Sequence, residues 1–300
     1  MRAIPGLISI LWLQLFAALV PTWRNGEYYA YGWFVPLLAV CLAWRRWNLL
    51  TPARNNPPSS PHAGPIAAIL ILVAAALVIP LRLVGLADPG WRPPLLLHVL
   101  IVCAFTHWFL FREFGRKTSL GMLPVTIFTL SCVPYPWQFE QKLVSTLTDR
   151  VMHITRECFL LAGQPVELQG TRLTMAGEVV DVTGGCSGIR SLQSLAMVAL
   201  FFGEFFLLSI PRRIVLILAA ALSAVAFNTL RAWWLASVHF GRGPEAAAAA
   251  HDPIGHFTFA LSAALLWLAA YLLLQSHPKH LRVLRRVQQS ATIPSARSEI

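Results

Sequence analysis

Charge is what this sequence has least of. Only 12% of its 300 residues are Asp, Glu, Lys or Arg, and acids are the scarcer sign, 13 against 24 basic residues. An ordinary soluble domain carries about twice that charged fraction, so a soluble globular class is excluded. No polar stretch is long enough to form a separate soluble domain. Cysteine is sparse too. Cys41, Cys103, Cys132, Cys158 and Cys186 show no CxxC spacing, so neither a disulfide framework nor a zinc site is indicated. Three of the five sit in apolar runs and read as packing residues. No convincing internal repeat is visible, although many transporter folds show one.

What is present is apolar. Hydrophobic residues make up 56% of the chain, and the mean hydropathy is +0.61. Apolar runs of about 18 residues or more recur along its length, the mark of a polytopic membrane protein. The fold class expected is all-α, with about eight transmembrane helices, near residues 6–22, 29–44, 65–86, 94–111, 119–135, 186–209, 213–238 and 255–275. Residues 1–276 form one transmembrane domain in this reading. Within it, 137–185 is a periplasmic insertion, and 277–300 is a basic cytoplasmic tail. The linker from Thr51 to Pro65 is rich in Pro, Ser and Asn and reads as irregular. The first apolar run resembles a signal peptide in position but lacks a clear small-residue cleavage site. Pro21-Thr22-Trp23-Arg24 reads instead as an interfacial end, so a retained first helix is expected.

A net charge of +11 raises the question of nucleic acid. The basic residues, however, gather in short segments between apolar runs, as orientation in a bilayer requires. With both termini in the cytoplasm, the inside segments hold twice as many Lys and Arg as the outside ones. Arg112–Lys117 and Arg212–Arg213 are the most diagnostic. Acids go the other way. This topology places Cys186 at the outer face.

The long outer segment has two parts. From Gln138 to Leu161, Phe139, Leu143, Leu147, Val151, Ile154 and Phe159 recur near helical spacing. They predict an amphipathic helix on the outer surface. From Gln164 to Val182 the period shortens, and Gln169-Gly170-Thr171 and Ala176-Gly177-Glu178 punctuate it. Short strands and turns are expected there, before the sixth helix. A plain connecting loop is the competing reading.

Three chemistry-bearing groups fall at one predicted depth. Gly184-Gly185-Cys186-Ser187-Gly188-Ile189-Arg190-Ser191 stands where a polar loop meets an apolar run. A helix N-terminus and a cation four residues on, Arg190, both favour a thiolate. The bland alternative is an inert cysteine at a tight turn. Arg231, with Asn228 three residues before it, lies in the seventh helix, where a charge costs several kcal/mol, of order 2.5–3.5. Its bland alternative is snorkelling, or pairing with an acid such as Glu204. His251 and Asp252 precede the eighth helix, and His256 follows them. A thiol, an imidazole and a fixed cation are the parts of a cysteine acyl-transfer site. The thiolate attacks a carbonyl, the imidazole moves the proton, and the cation holds the oxyanion.

These residues resemble the exosortase/archaeosortase family of membrane cysteine transpeptidases. Gly185-Cys186-Ser187-Gly188-Ile189-Arg190-Ser191-Leu192 is similar to its cysteine motif, Asn228-Thr229-Leu230-Arg231 to its Asn-x-x-Arg, and His251-Asp252-Pro253-Ile254-Gly255 to its His-acid-x-x-Gly. Tyr31 to Leu38 and Gly163 to Val166 resemble further family segments, so the likeness covers roughly residues 25–275. It implies Cys186 as the nucleophile forming a thioester, Arg231 as the catalytic arginine and His251 as the general acid/base. Ser187, Arg190, Asn228, Asp252 and His256 would be supporting residues. Gly185 replaces the commoner alanine, and His256 and Arg190 compete for the imidazole and cation roles. The resemblance also implies substrates: secreted proteins with a C-terminal tripartite tail of a Pro-Glu-Pro-like motif, a membrane helix and a basic cluster. A polysaccharide or lipid acceptor would take the new C-terminus, in the inner membrane of a bacterium with two membranes. No metal, cofactor or nucleic-acid partner is called for. A transporter or channel using Arg231 as an anion site, and a structural partner in export or polysaccharide assembly, are the readings from other classes.

Overall fold

Apolar runs fold as helices because a chain among apolar atoms must satisfy its backbone N–H and C=O groups internally. The computed structural model describes residues 3–25, 28–50, 65–88, 90–181 and 188–276. Eight α-helices occur among them. They are α1 (Ala3–Asn25), α2 (Val35–Leu49), α3 (Pro65–Ala87), α4 (Pro93–Thr129), α5 (Trp137–Leu161), α6 (Ile189–Phe205), α7 (Ile210–Arg242) and α8 (Pro244–Gln275). The expected basic tail at 277–300 and most of the 51–65 linker lie outside the described residues.

α4 is a hairpin. Gly115 takes φ 80° and ψ 173° inside it. The His107 ring then bonds Ser119 Oγ (3.2 Å) and Thr126 Oγ1 (2.9 Å). Nineteen residues of straight helix would span about 28 Å, so the two arms lie side by side. Counting those arms separately, a helix stands at each of the eight expected positions. By length and hydropathy, three described stretches are able to cross a membrane: Pro93–Cys132, Ile210–Arg242 and Pro244–Gln275.

Helix boundaries near the C-terminus differ from expectation. The 239–254 connection does not exist as a loop. α7 runs on to Arg242, Gly243 breaks the path, and α8 begins at Pro244. Pro at the first helical position, Glu245 in the first turn and the alanine run 246–250 all favour that early start. His251 and Asp252 are therefore helical residues.

The insertion contains both expected parts. α5 is amphipathic, but its buried stripe is Glu140, Thr148, Val151, Met152, Thr155 and Phe159. Of the predicted stripe, Val151 and Phe159 are buried, Leu143 and Leu147 are half-buried, and Phe139 and Ile154 are exposed. Glu140 can turn inward because it has partners there, described below. After α5, β1 (Glu167–Gln169), β2 (Arg172–Met175) and β3 (Glu178–Asp181) form an antiparallel sheet in the order β1-β2-β3. Leu173 faces inward at 0% exposure and packs with Met152, Phe159, Val166 and Ala236. The sheet is thereby fixed onto α5 and the C-terminal part of α7.

Two polar clusters mark the two ends of the bundle. At one end Glu204, near the end of α6 and 3% exposed, meets Arg46 Nη1 at 3.2 Å and Arg213 Nη1 at 2.8 Å. Arg46 also donates from Nε to the Gly121 carbonyl (2.7 Å), and Arg213 to that of Leu208 (2.7 Å). This clamp joins α2, the second arm of α4, α6 and α7. At the other end Tyr29 donates to Glu140 Oε2 (2.5 Å), Arg92 donates to Glu140 Oε1 (2.7 Å), and the Tyr135 amide donates to the Tyr29 hydroxyl (2.9 Å). Arg92 also bonds the Tyr135 carbonyl. Between the clusters the packing is apolar. Leu216, Ala220 and Ala224 of α7 meet Leu266 and Ala270 of α8, and small residues of this kind let helix backbones approach closely.

Candidate active site

The site is built where α6 begins. Gly188 caps α6 in the left-handed conformation, φ +79°, which only glycine adopts freely. A Cβ on Gly188 would sit 2.7 Å from Asn228 Cγ. The first turn of α6 therefore lies directly on Asn228 of α7, which is 4% exposed. One turn further along α7 is Arg231. Its Nη2 lies 2.8 Å from His251 Nε2 on α8. His251 Nδ1 lies 3.0 Å from Asp252 Oδ1. Gly255, one turn after His251, passes so close that a Cβ would be 3.3 Å from the Arg231 guanidinium carbon.

The electrostatics follow from what each group is able to do. A guanidinium has donors only and stays protonated. His251 Nε2 must therefore accept, which leaves Nδ1 carrying the hydrogen and donating to Asp252. The imidazole is neutral, with its basic lone pair on Nε2. Asp252 itself is exposed and not a buried anchor. Arg231 Nε is buried without a hydrogen-bond partner among the described residues. That leaves one cationic donor unspent beside the imidazole.

The structure brings together Asn228, Arg231, His251 and Asp252. Cys186 and Ser187 lie outside the described residues. Arg190 is exposed on the first turn of α6, and His256 is exposed on α8. The helix α6 begins at Ile189, after the left-handed Gly188 cap. Arg231 does not pair with Glu204, which belongs to the Arg46–Arg213 clamp at the opposite end.

Sequence reading missed the cluster beside this site. Tyr29, 2% exposed, donates to Glu140, and Gln193, one turn into α6, is 3% exposed with neither amide atom hydrogen-bonded among the described residues. Burial, reinforced by the Glu140 carboxylate, pushes the Tyr29 hydroxyl well above its ordinary pKa of 10.0. It remains a neutral donor. A signal for this cluster was available: Glu140 recurs with Thr148 and Met152 at spacings that are multiples of four. Among the described residues no group of His, Cys, Asp and Glu is arranged to hold a metal.

Comparison with known proteins agrees with the motifs. No curated protein and no solved structure matches the chain. The family model of the transmembrane exosortase, however, matches residues 23–268. That span takes in α2 to α7, the sheet, the Asn228–Arg231–His251 group and most of α8. The chain belongs to the transmembrane exosortase family.

Proposed function

We propose that this protein is a membrane cysteine transpeptidase or protease. It cleaves C-terminal sorting signals of the Pro-Glu-Pro type from secreted proteins, through a thioester on Cys186. The observation that carries this reading is the 2.8 Å pair of Arg231 and His251, held one helical turn from the residue on which Gly188 packs. Two peptide units tie Cys186 to Gly188, which bounds their Cα separation to about 7–8 Å. In this reading nucleophile, base and cation work together at one end of the bundle.

The reaction then runs in two stages, acylation of Cys186 and resolution of the thioester. The Cys186 thiol gives its proton to His251 Nε2 as Arg231 turns from the imidazole toward the substrate carbonyl. Sulfur bonds to the carbonyl carbon, and Arg231 stabilises the oxyanion, with its Nε as the spare donor. Collapse breaks the C–N bond, and the imidazolium protonates the leaving amine. Water or the nucleophile of a polysaccharide or lipid acceptor gives its proton to His251 and attacks the thioester carbonyl, the C–S bond breaks, and the proton returns to the Cys186 sulfur. Asp252 orients His251, and Asn228 seats the start of α6. Eight spans in the inner membrane, with cytoplasmic termini, put this site at the periplasmic face. A cut just outside a substrate's own membrane helix fits that level.

The test is co-expression of a secreted reporter bearing a motif-helix-basic tail with the wild type and with Cys186→Ala, Arg231→Ala and His251→Ala. Processing by the wild type that all three variants lose supports the assignment. Processing that survives Cys186→Ala overturns the thiol mechanism, and no processing of any tail by a well-inserted wild type moves weight first to an unusual substrate motif and then to an anion carrier built on Arg231.

A further inference from the structure

A recess lies away from the Arg231–His251 pair. It is a pocket of about 340 Å³ between α1, α3 and the first arm of α4. Ala17, Ala18 and Leu81 form apolar wall, and Arg82, Arg92 and His98 bring polar groups to it. Arg92 is committed to Glu140 and the Tyr135 carbonyl. Arg82 has no carboxylate partner among the described residues. It sits five residues before the end of α3, about 8 Å in from that end. His98 is 1% exposed, and its Nε2 is buried with no hydrogen-bond partner among the described residues. A cation inside an apolar helix and an unpartnered buried ring nitrogen on one pocket are unexplained by the protein's own contacts.

We propose that this recess binds the phosphate headgroup of an anionic phospholipid, with Arg82 as its anchoring cation and the acyl chains lying along α3. Three observations favour a lipid. The charge that is free is positive, and a phosphodiester is the anion a bilayer supplies. Deeper along α3 from Arg82 the surface is apolar, with Ile79 and Leu77 62% and 53% exposed; acyl chains cover such a surface and an acidic peptide does not. Trp91 and Trp137 stand at the pocket mouth, each 54% exposed, where aromatic rings mark headgroup level. The proposal rests on α3 lying in the bilayer, and not on the chemistry of Cys186.

The test uses the purified full chain in neutral phosphatidylcholine nanodiscs. Thermal unfolding is followed while short-chain phosphatidylglycerol, inorganic phosphate, or a neutral diacylglycerol is added. Phosphatidylglycerol alone should raise the melting temperature. Arg82→Gln should weaken its apparent affinity by about tenfold or more, the size expected for a lost charge-assisted hydrogen bond, with the melt in neutral lipid unchanged. Ala17→Leu, which narrows the pocket from an exposed position, should weaken it as well, and it serves if Arg82→Gln does not fold. Equal affinity in wild type and variants overturns the site. Inorganic phosphate matching phosphatidylglycerol overturns the lipid in favour of a bare anion. Displacement of the lipid by an acidic sorting-signal peptide overturns it in favour of substrate.

Discussion

Arg231 donates from Nη2 to His251 Nε2 across 2.8 Å, and that one contact fixes which nitrogen of the imidazole holds the lone pair. The same geometry makes the two residues mutually dependent. In the proposed mechanism Arg231 masks the base while it occupies Nε2 and releases it on turning to a developing oxyanion, so that arginine and base become available together on substrate binding.

Arg231→Lys tests that dependence. An ammonium supplies charge but not the planar fork that reaches both His251 and a carbonyl. Processing of the reporter should fall about 10²–10³-fold, the range for a lost oxyanion donor, with Arg231→Ala at least as impaired. Unaltered processing in Arg231→Lys would show that charge alone suffices.

Two glycines separate fold from alignment. Gly188→Ala places a Cβ 2.7 Å from Asn228 at φ +79°, so α6 must shift or re-cap. Both melting temperature and processing should drop. Gly255→Ala meets the guanidinium at 3.3 Å, which a side chain accommodates by moving. Processing should fall about tenfold or more, as small misalignments of a catalytic group do, with little change in the melt.

Glu204→Ala strips the partner from Arg46 and Arg213 at once. Leaving such charges uncompensated costs about 3–5 kcal/mol. The variant should accumulate poorly or melt far below the wild type, whereas Glu204→Gln, which keeps hydrogen-bond acceptance at one atom, should lose less. Quantitative blotting of membrane fractions and thermal unfolding measure both.

Alkaline pH should weaken the fold through Tyr29. Burial raises its folded pKa above the unfolded value of 10.0. Above that value the unfolded chain sheds a proton that the folded chain keeps, so stability is full below about pH 10 and declines as pH rises past it. Tyr31 and Tyr135 are shifted the same way and add to the slope. Tyr29→Phe should make the decline shallower, read from melting temperatures between pH 8 and 11, while lowering stability at pH 8 through the lost Glu140 bond. An identical slope in wild type and variant would remove Tyr29 from this account.

Helix positions were legible because an apolar run of membrane length has only one common way to satisfy its backbone. The β-element was legible from its turn residues: Gly170 and Ala176-Gly177 take positive φ at the two hairpin loops. The start of α8 was misplaced because His239 to Asp252 is polar enough to look like a loop, although its alanines and Pro244 favour helix. The α5 stripe was legible only in part because apolar spacing alone does not show that Glu140, Thr148 and Thr155 turn inward.

The sequence by itself determined the class of the protein, the order of its helices and the three motifs, because apolar runs, basic loops and short motif spacings are local properties. It also named Arg231 and His251. Only the tertiary structure decided what those residues touch. Arg231 and Glu204 were both intramembrane charges seeking a partner, and nothing local distinguishes their options. Packing put Glu204 between Arg46 and Arg213 at one end and Arg231 against His251 at the other. It also buried Glu140 under Tyr29 and Arg92, residues 111 and 48 positions away in the chain. Such pairings depend on how helices lie side by side, and that arrangement is set by the whole bundle.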